Sequence, residues 1–235
     1  MNNSDFLEVV KQSFLVYLRT SARSNEKLKV LHGAISADIN NRLHDRKYTV
    51  SSLGYGTGSE KNIDGRYINK AVDITISENG TPIAGIAVKF VMSNYSQNSN
   101  NYFENMLGET ANIRSAKIPY FQIFLIPDKL PYFDKKGNIT RWETITRHNL
   151  EKYIKLSNDN IDVFMHTPNK TLVYIVHLQS DNNVEVATMS AYKENYINNP
   201  FVIRNSTLNF CFGRTVIYND YDTFLEKVVH AIKSV

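Results

Sequence analysis

The chain has 235 residues, with 27 basic and 23 acidic side chains and 42% hydrophobic residues. Such a composition can bury a substantial core and is not that of a disordered or collagen-like chain. The single cysteine, Cys211, excludes an internal disulfide and any zinc site with several cysteine ligands. We find no signal peptide and no apolar stretch of membrane-spanning length, so we expect a soluble cytoplasmic protein without a membrane partner. The net charge of +4 permits a polyanionic partner without requiring one.

The first part of the chain changes between helical and strand periodicity. Apolar residues recur every three to four positions in the helical stretches and alternate or run together in the strands. In chain order the predicted elements are helices over 5–19 and 26–43, strands over 47–53, 67–76 and 83–92, a helix over 100–115 and a strand over 120–126.

The pattern is weaker after residue 126. A long loop over 130–138 marks the predicted boundary between a core of residues 1–130 and a C-terminal α+β extension of residues 131–235. Within the extension we predict a helix over 147–156, strands over 171–178 and 183–190, and a helix over 221–233.

Several common catalytic motifs are absent from the sequence. There is no P-loop and no G-x-S-x-G nucleophile elbow, and the six histidines lack the H-E-x-x-H spacing of zinc proteases. Gly54, Gly56 and Gly58 resemble a phosphate-binding loop, but a strand rather than a helix follows them. Without a helix N-terminus to hold a phosphate, we interpret this segment as an ordinary loop.

Two charged residues interrupt apolar strands. Asp73 lies between Val72 and Ile74, and Lys89 lies between Val88 and Phe90 in the partner strand of a predicted hairpin. Charges are seldom buried unless they are paired or bound to a metal. Either the two side chains form a structural ion pair, or Asp73 holds a metal while Lys89 faces a phosphate.

The helix after Lys89 offers further carboxylates, Glu104 and Glu109. A glutamate from this helix, together with Asp73, would form a hard oxygen site suited to Mg²⁺. A nearby lysine could stabilise developing charge and orient or deprotonate the attacking water. This combination of residues suits hydrolysis of a phosphodiester.

The chain here resembles the PD-(D/E)XK nuclease superfamily, and type II restriction endonucleases in particular. The likeness covers roughly residues 26–126 and is carried by three segments, residues 65–74, 87–90 and 101–110. It implies an α/β fold with a restriction-endonuclease-like core, in which α-β-β-β-α-β elements form a mixed central sheet flanked by helices. It also implies Mg²⁺-dependent, sequence-specific hydrolysis of double-stranded DNA.

The chain departs from the motif at two positions. Val72 replaces the motif's proline, and Ala87 replaces its second acidic residue. Some enzymes of this type resemble such an arrangement, with the missing carboxylate supplied by the following helix. We favour Glu104 as the second metal ligand, because the earlier turn should lie nearer the Lys89 strand, and keep Glu109 as the alternative.

The resemblance also indicates partners. We expect a homodimer on palindromic duplex DNA and a cognate DNA methyltransferase. Polar residues of the segment 93–101 would contact phosphates or bases, or would form an ordinary surface loop. The predicted DNA contacts are Lys61, Arg66, Lys70, Asn94, Gln97, Asn98 and Arg114.

Two other functions remain open. The same fold could serve a structure-specific repair nuclease or a junction resolvase, which would not cut long duplex DNA into discrete fragments. Alternatively, Ala87 could mark a core that has lost catalysis and that only binds DNA.

Overall fold

The computed structural model of the protein describes residues 1–20, 24–180 and 186–234. The helices in these ranges are α1 (Asn3–Arg19), α2 (Glu26–Leu43), α3 (Tyr95–Arg114), α4 (Arg147–Leu156), α5 (Met189–Asn198) and α6 (Tyr221–Lys233). The strands are β1 (Tyr48–Ser52), β2 (Lys61–Asp64), β3 (Asn69–Val72), β4 (Ile74–Glu78), β5 (Thr81–Phe90), β6 (Tyr120–Pro127), β7 (Lys129–Phe133), β8 (Ile139–Thr144), β9 (Lys170–Ser180), β10 (Phe201–Asn205) and β11 (Val216–Tyr218).

The main sheet is mixed and has the strand order β1-β4-β5-β6-β9-β10. The β1–β4 and β4–β5 pairs are antiparallel, whereas β5–β6 and β6–β9 are parallel. Strand β10 pairs antiparallel with the second half of β9, and β11 pairs parallel with its first half. Two small antiparallel hairpins, β2–β3 and β7–β8, stand outside this sheet.

Helices cover both faces of the sheet. All eight residues of β6 are buried, as expected for a central parallel strand. Phe121 and Ile123 belong to the core cluster with α1, α2 and α6, whereas Phe124 and Ile126 belong to the cluster with α3 and α4. The alternation follows from the two-residue period of a strand, so each face of β6 closes a separate core.

Helix α1 shows how the local sequence forms these elements. The Asn2 side chain accepts a hydrogen bond from the Asp5 backbone N–H, and the Asp5 carboxylate accepts one from the Asn2 N–H, which completes a capping box. Phe6, Val10 and Phe14 then recur every four residues and are fully buried.

The predicted α/β class is confirmed. None of the described helices combines the length and the apolar character that a membrane span requires.

Three sequence predictions are wrong in detail. The strand predicted over 67–76 is two strands, β3 and β4, which lie in different sheets. Helix α3 begins at Tyr95 rather than near residue 100, so most of the polar segment 93–101 is helical. The segment 130–138 consists of most of β7 and the turn into β8 rather than a long loop.

The C-terminal residues differ from expectation at one more place. The strand predicted over 183–190 lies partly outside the described residues, and α5 begins at Met189 within it. Strands β9 and β10, from the predicted extension, continue the same sheet as the N-terminal strands.

Candidate active site

Asp73 is placed by a break between two strands. Strand β3 pairs with β2 in the small hairpin, strand β4 enters the main sheet, and Asp73 is the residue between them. Its Oδ2 atom accepts a hydrogen bond of 2.7 Å from the backbone N–H of Val88 on β5. This bond fixes the carboxylate beside the end of β5, one residue from Lys89.

The Asp73 carboxyl is only partly accessible to solvent. Burial raises its pKa to about 6, the Val88 N–H opposes this effect, and the negative charge of Glu109 adds to it. The carboxylate therefore lies in a setting that disfavours its own charge, which is the setting a bound cation would relieve.

The raised pKa of Asp73 makes a prediction about stability. A folded-state pKa above the unfolded value stabilises the protein at low pH, and this contribution is lost as the pH rises through about 6. We expect the wild type to gain roughly 1 kcal/mol of unfolding free energy relative to Asp73→Asn between pH 7.5 and pH 5. Urea unfolding of both proteins in EDTA measures this, and parallel pH profiles would contradict it.

Lys89 lies on the side of β5 that faces α3. Its Nζ atom is 4.1 Å from the centre of the Tyr102 ring. The side chain is solvent-accessible rather than buried, contrary to the expectation from its apolar neighbours. Partial loss of hydration lowers the pKa of its amine, against the opposing charges of Asp73 and Glu109.

The structure brings Glu109, and not Glu104, to Asp73 and Lys89. Asp73, Lys89 and Glu109 line one cavity of about 520 Å³ between α2, α3 and the end of β5. The Glu109 Oε1 atom is 2.5 Å from the Lys70 Nζ atom, and Oε2 accepts a hydrogen bond of 3.3 Å from the Tyr120 hydroxyl. Glu104 precedes Glu109 by five residues, so the two side chains point about 140° apart around the helix axis. Glu104 is therefore exposed and interacts with Lys152 on α4.

His32 on α2 also lines the cavity, and the sequence analysis did not identify it. Its side chain is 1% exposed, and neither ring nitrogen has a hydrogen-bond partner among the described residues. Burial lowers its pKa to about 4, against the charge of Glu60, so the imidazole is neutral near pH 7. A signal was available, since His32 is a polar residue on the apolar stripe of α2, four residues after Leu28.

Glu60 is the second residue that the sequence analysis missed. One ligand atom each from His32, Glu60 and Asp73 lie within 4.8 Å of one another. Two carboxylates and a neutral imidazole form a donor set that fits a divalent cation. His32 and Glu60 are thus described side chains near Asp73 that could hold a cation with it, whereas Glu104 does not line the cavity.

The glycine-rich segment explains how Glu60 reaches this position. Gly54 has a φ of +81°, and a Cβ atom there would lie 2.3 Å from the Lys29 carbonyl oxygen of α2. A Cβ on Gly33 of α2 would in turn be 3.0 Å from the Gly54 oxygen. Only glycine permits such close contact of loop and helix. The segment is a loop, as predicted, and it places Glu60 beside the helix that carries His32.

Several of the predicted DNA contacts already bond to other parts of the protein, and two of them bond to distant backbone groups. The Arg114 guanidinium donates to the backbone oxygens of Ile161, Phe164 and Thr167 at 2.6–2.9 Å. The Asn94 side chain bonds both backbone groups of Phe133, which ties the start of α3 to β7.

The remaining predicted contacts lie in several places. Lys61 donates to the Ser77 hydroxyl and the Gly80 oxygen, and Lys70 pairs with Glu109. Arg66 and Gln97 are exposed, whereas Asn98 is partly covered. Of the predicted set, Lys70 pairs with Glu109 and Asn98 lies within hydrogen-bonding reach of the Tyr102 hydroxyl, and both Glu109 and Tyr102 line the cavity.

Comparison of the chain with protein-family models, curated proteins and solved structures finds no match. The functional assignment therefore depends on the chemistry of the cavity. It combines carboxylates, a neutral imidazole and a lysine of lowered pKa, which together suit hydrolysis assisted by a metal ion.

Proposed function

We propose that the protein is a type II restriction endonuclease that hydrolyses phosphodiester bonds in double-stranded DNA with a divalent metal ion. The observation that carries the proposal is the grouping of Asp73, Lys89 and Glu109 around one cavity. Three elements distant in sequence supply these residues, namely the β3–β4 break, the end of β5 and the middle of α3.

The arrangement of elements around the cavity supports the proposal. Between residues 26 and 127 the elements of the core follow in the order α2, β1, β4, β5, α3 and β6, and the four strands belong to the main sheet. Strands β2 and β3 form a separate hairpin inserted between β1 and β4. The pairing is antiparallel, antiparallel and parallel from β1 to β6. This is consistent with the mixed α-β-β-β-α-β core that the resemblance to PD-(D/E)XK nucleases implies.

Each side chain around the cavity has its own role in the proposed reaction. Asp73 would ligate the ion, and Glu109 would hold it directly or through a bound water. A divalent ion at this position, Mg²⁺ by resemblance, supplies Lewis-acid polarisation of the phosphate and an acidified water. Lys89, with its lowered pKa, would orient the attacking water and stabilise the charge that develops as one P–O bond forms and another breaks.

The first experiment is incubation of the protein with long, unmethylated duplex DNA in the presence of Mg²⁺, Mn²⁺ or EDTA. The proposal expects discrete fragments with a metal ion and intact DNA with EDTA. A smear or cleavage of branched DNA alone would favour a repair nuclease or resolvase. DNA binding that survives EDTA, with no cleavage by any metal, would favour a binding protein.

The turn between β2 and β3 offers a surface for DNA near the cavity. Tyr67 is 76% and Ile68 is 62% exposed, and both follow Arg66. The Asn112 side chain of α3 accepts hydrogen bonds from the Tyr67 and Ile68 N–H groups and donates to the Ile68 oxygen. Because this framework holds the turn, its exposed apolar side chains can enter a groove at little entropic cost.

We expect the double substitution Tyr67→Ala and Ile68→Ala to weaken DNA binding about tenfold or more, on the scale of base–aromatic stacking energies. Fluorescence anisotropy with a duplex in EDTA measures affinity without cleavage. Val202→Ala is the control, because Val202 is 57% exposed on the distant strand β10. Equal affinity of both variants would exclude the turn from the DNA interface.

A further inference from the structure

His32 is an unusual residue for a protein interior. The side chain is 1% exposed, and both ring nitrogens are buried without a hydrogen-bond partner among the described residues. A buried polar group without a partner costs roughly 1–3 kcal/mol. A ligand that accepts a lone pair from the imidazole would remove this penalty.

The surroundings of His32 supply the rest of a coordination site. Ligand atoms of His32, Glu60 and Asp73 lie within 4.8 Å of one another. When two atoms bind the same small divalent ion at about 2.1 Å, the distance between these two atoms is at most about 4 Å. A modest contraction of the cluster therefore suffices for all three to bind the same ion, with open positions left for water and phosphate.

The backbone holds the three ligands from three directions. His32 projects from α2, Glu60 follows the glycine loop that packs on α2, and Asp73 is fixed by the Val88 N–H. Because Val88 occupies one carboxylate oxygen of Asp73, the other can serve the ion. Glu109 keeps its contacts to Lys70 and Tyr120 in this arrangement.

We propose that His32, Glu60 and Asp73 bind one divalent transition ion and that the site prefers Mn²⁺ to Mg²⁺. Mg²⁺ favours oxygen ligands and retains its waters. Mn²⁺ is the first divalent ion in the affinity order of the transition metals and accepts both carboxylate oxygen and imidazole nitrogen as ligands. The role of this ion in DNA cleavage rests on the proposed function, but its binding does not.

The test is a titration of the full chain with Mn²⁺, in which electron paramagnetic resonance detects the bound ion. We expect one tightly bound Mn²⁺ per chain, with a nitrogen coupling from imidazole in the pulsed spectrum. His32→Gln should abolish the coupling and weaken binding at least tenfold, and Mg²⁺ should compete only in large excess. His148→Gln is the control, because the His148 side chain is 92% exposed and does not line the cavity.

Glu60→Gln provides a second variant that cannot fail through misfolding of the core, since Glu60 is exposed. It should also weaken Mn²⁺ binding at least tenfold. Absence of nitrogen coupling in the wild type, or wild-type affinity in Glu60→Gln, would overturn the inference.

DNA cleavage measured in parallel separates the two proposals. Nitrogen coupling without any nuclease activity would retain the metal site and refute the proposed function. Cleavage with Mg²⁺ by a protein whose bound Mn²⁺ shows no nitrogen coupling would do the reverse.

Discussion

Replacement of Asp73 by asparagine is expected to lower the rate of DNA cleavage on the order of 10³-fold or more, while the protein stays folded. The variant loses the charge that is proposed to hold the metal ion. The asparagine oxygen can still accept the 2.7 Å hydrogen bond from the Val88 N–H, so the β4–β5 connection is preserved. Initial rates on a cleavable duplex, measured with a divalent metal, give the magnitude.

Stability provides an internal control for this variant. Burial disfavours the Asp73 charge, so Asp73→Asn in EDTA at pH 7.5 should melt at the same temperature as the wild type or a few degrees above it. Asp45→Asn is the matched substitution, because Asp45 is an exposed aspartate between α2 and β1 that lines neither the cavity nor the β2–β3 turn, and it should cleave normally. Wild-type cleavage by Asp73→Asn would remove Asp73 from the active site.

Glu109→Gln should reduce cleavage on the order of 100-fold, whereas Glu104→Gln should remain within about threefold of the wild type. The two residues belong to the same helix, but only Glu109 lines the cavity with Asp73. The Lys70–Glu109 ion pair is partly exposed, so its loss should change the unfolding free energy by no more than about 1 kcal/mol.

The comparison of these glutamates decides between two positions of the second carboxylate. Rates for both variants at saturating metal and again at limiting metal show whether the lost group acts through the ion. Loss of cleavage in Glu104→Gln with normal rates in Glu109→Gln would place the catalytic carboxylate on the other face of α3.

Asp73 could be predicted because its signal is local. A charged residue within Ala71–Ile76 contradicts the apolar pattern of a strand, and such contradictions mark functional positions. The α/β class was also accessible, since helical and strand periods alternate clearly along the first half of the chain.

The choice between Glu104 and Glu109 depends on contacts between residues that are far apart in the sequence. Helix α3 begins at Tyr95 because Asn94 bonds both backbone groups of Phe133, 39 residues away. The run of serine and asparagine residues that follows has weak helix propensity and hides this start. With the helix taken to begin near residue 100, Glu104 was assigned to its first turns, although it lies well inside the helix.

The proposed ligands His32 and Glu60 illustrate two further limits of sequence-based prediction. The position of His32 on an apolar helix stripe was visible in the sequence, but a buried histidine without partners is recognised only in three dimensions. Glu60 follows a flexible-looking glycine segment, and its position depends on the contact between Gly54 and the Lys29 carbonyl. No local pattern encodes that contact.

The break between β3 and β4 has a practical consequence for protein engineering. It exposes the Asp73 carboxylate to an environment that penalises its charge and to the negative field of Glu109. Neutral substitutions at either position relieve this repulsion when no metal ion is present, and such trade-offs between stability and activity are common at active sites. Under the proposed function, a library selected only for heat resistance in chelating buffer would therefore accumulate inactive proteins, so selection should be carried out in the presence of the metal ion.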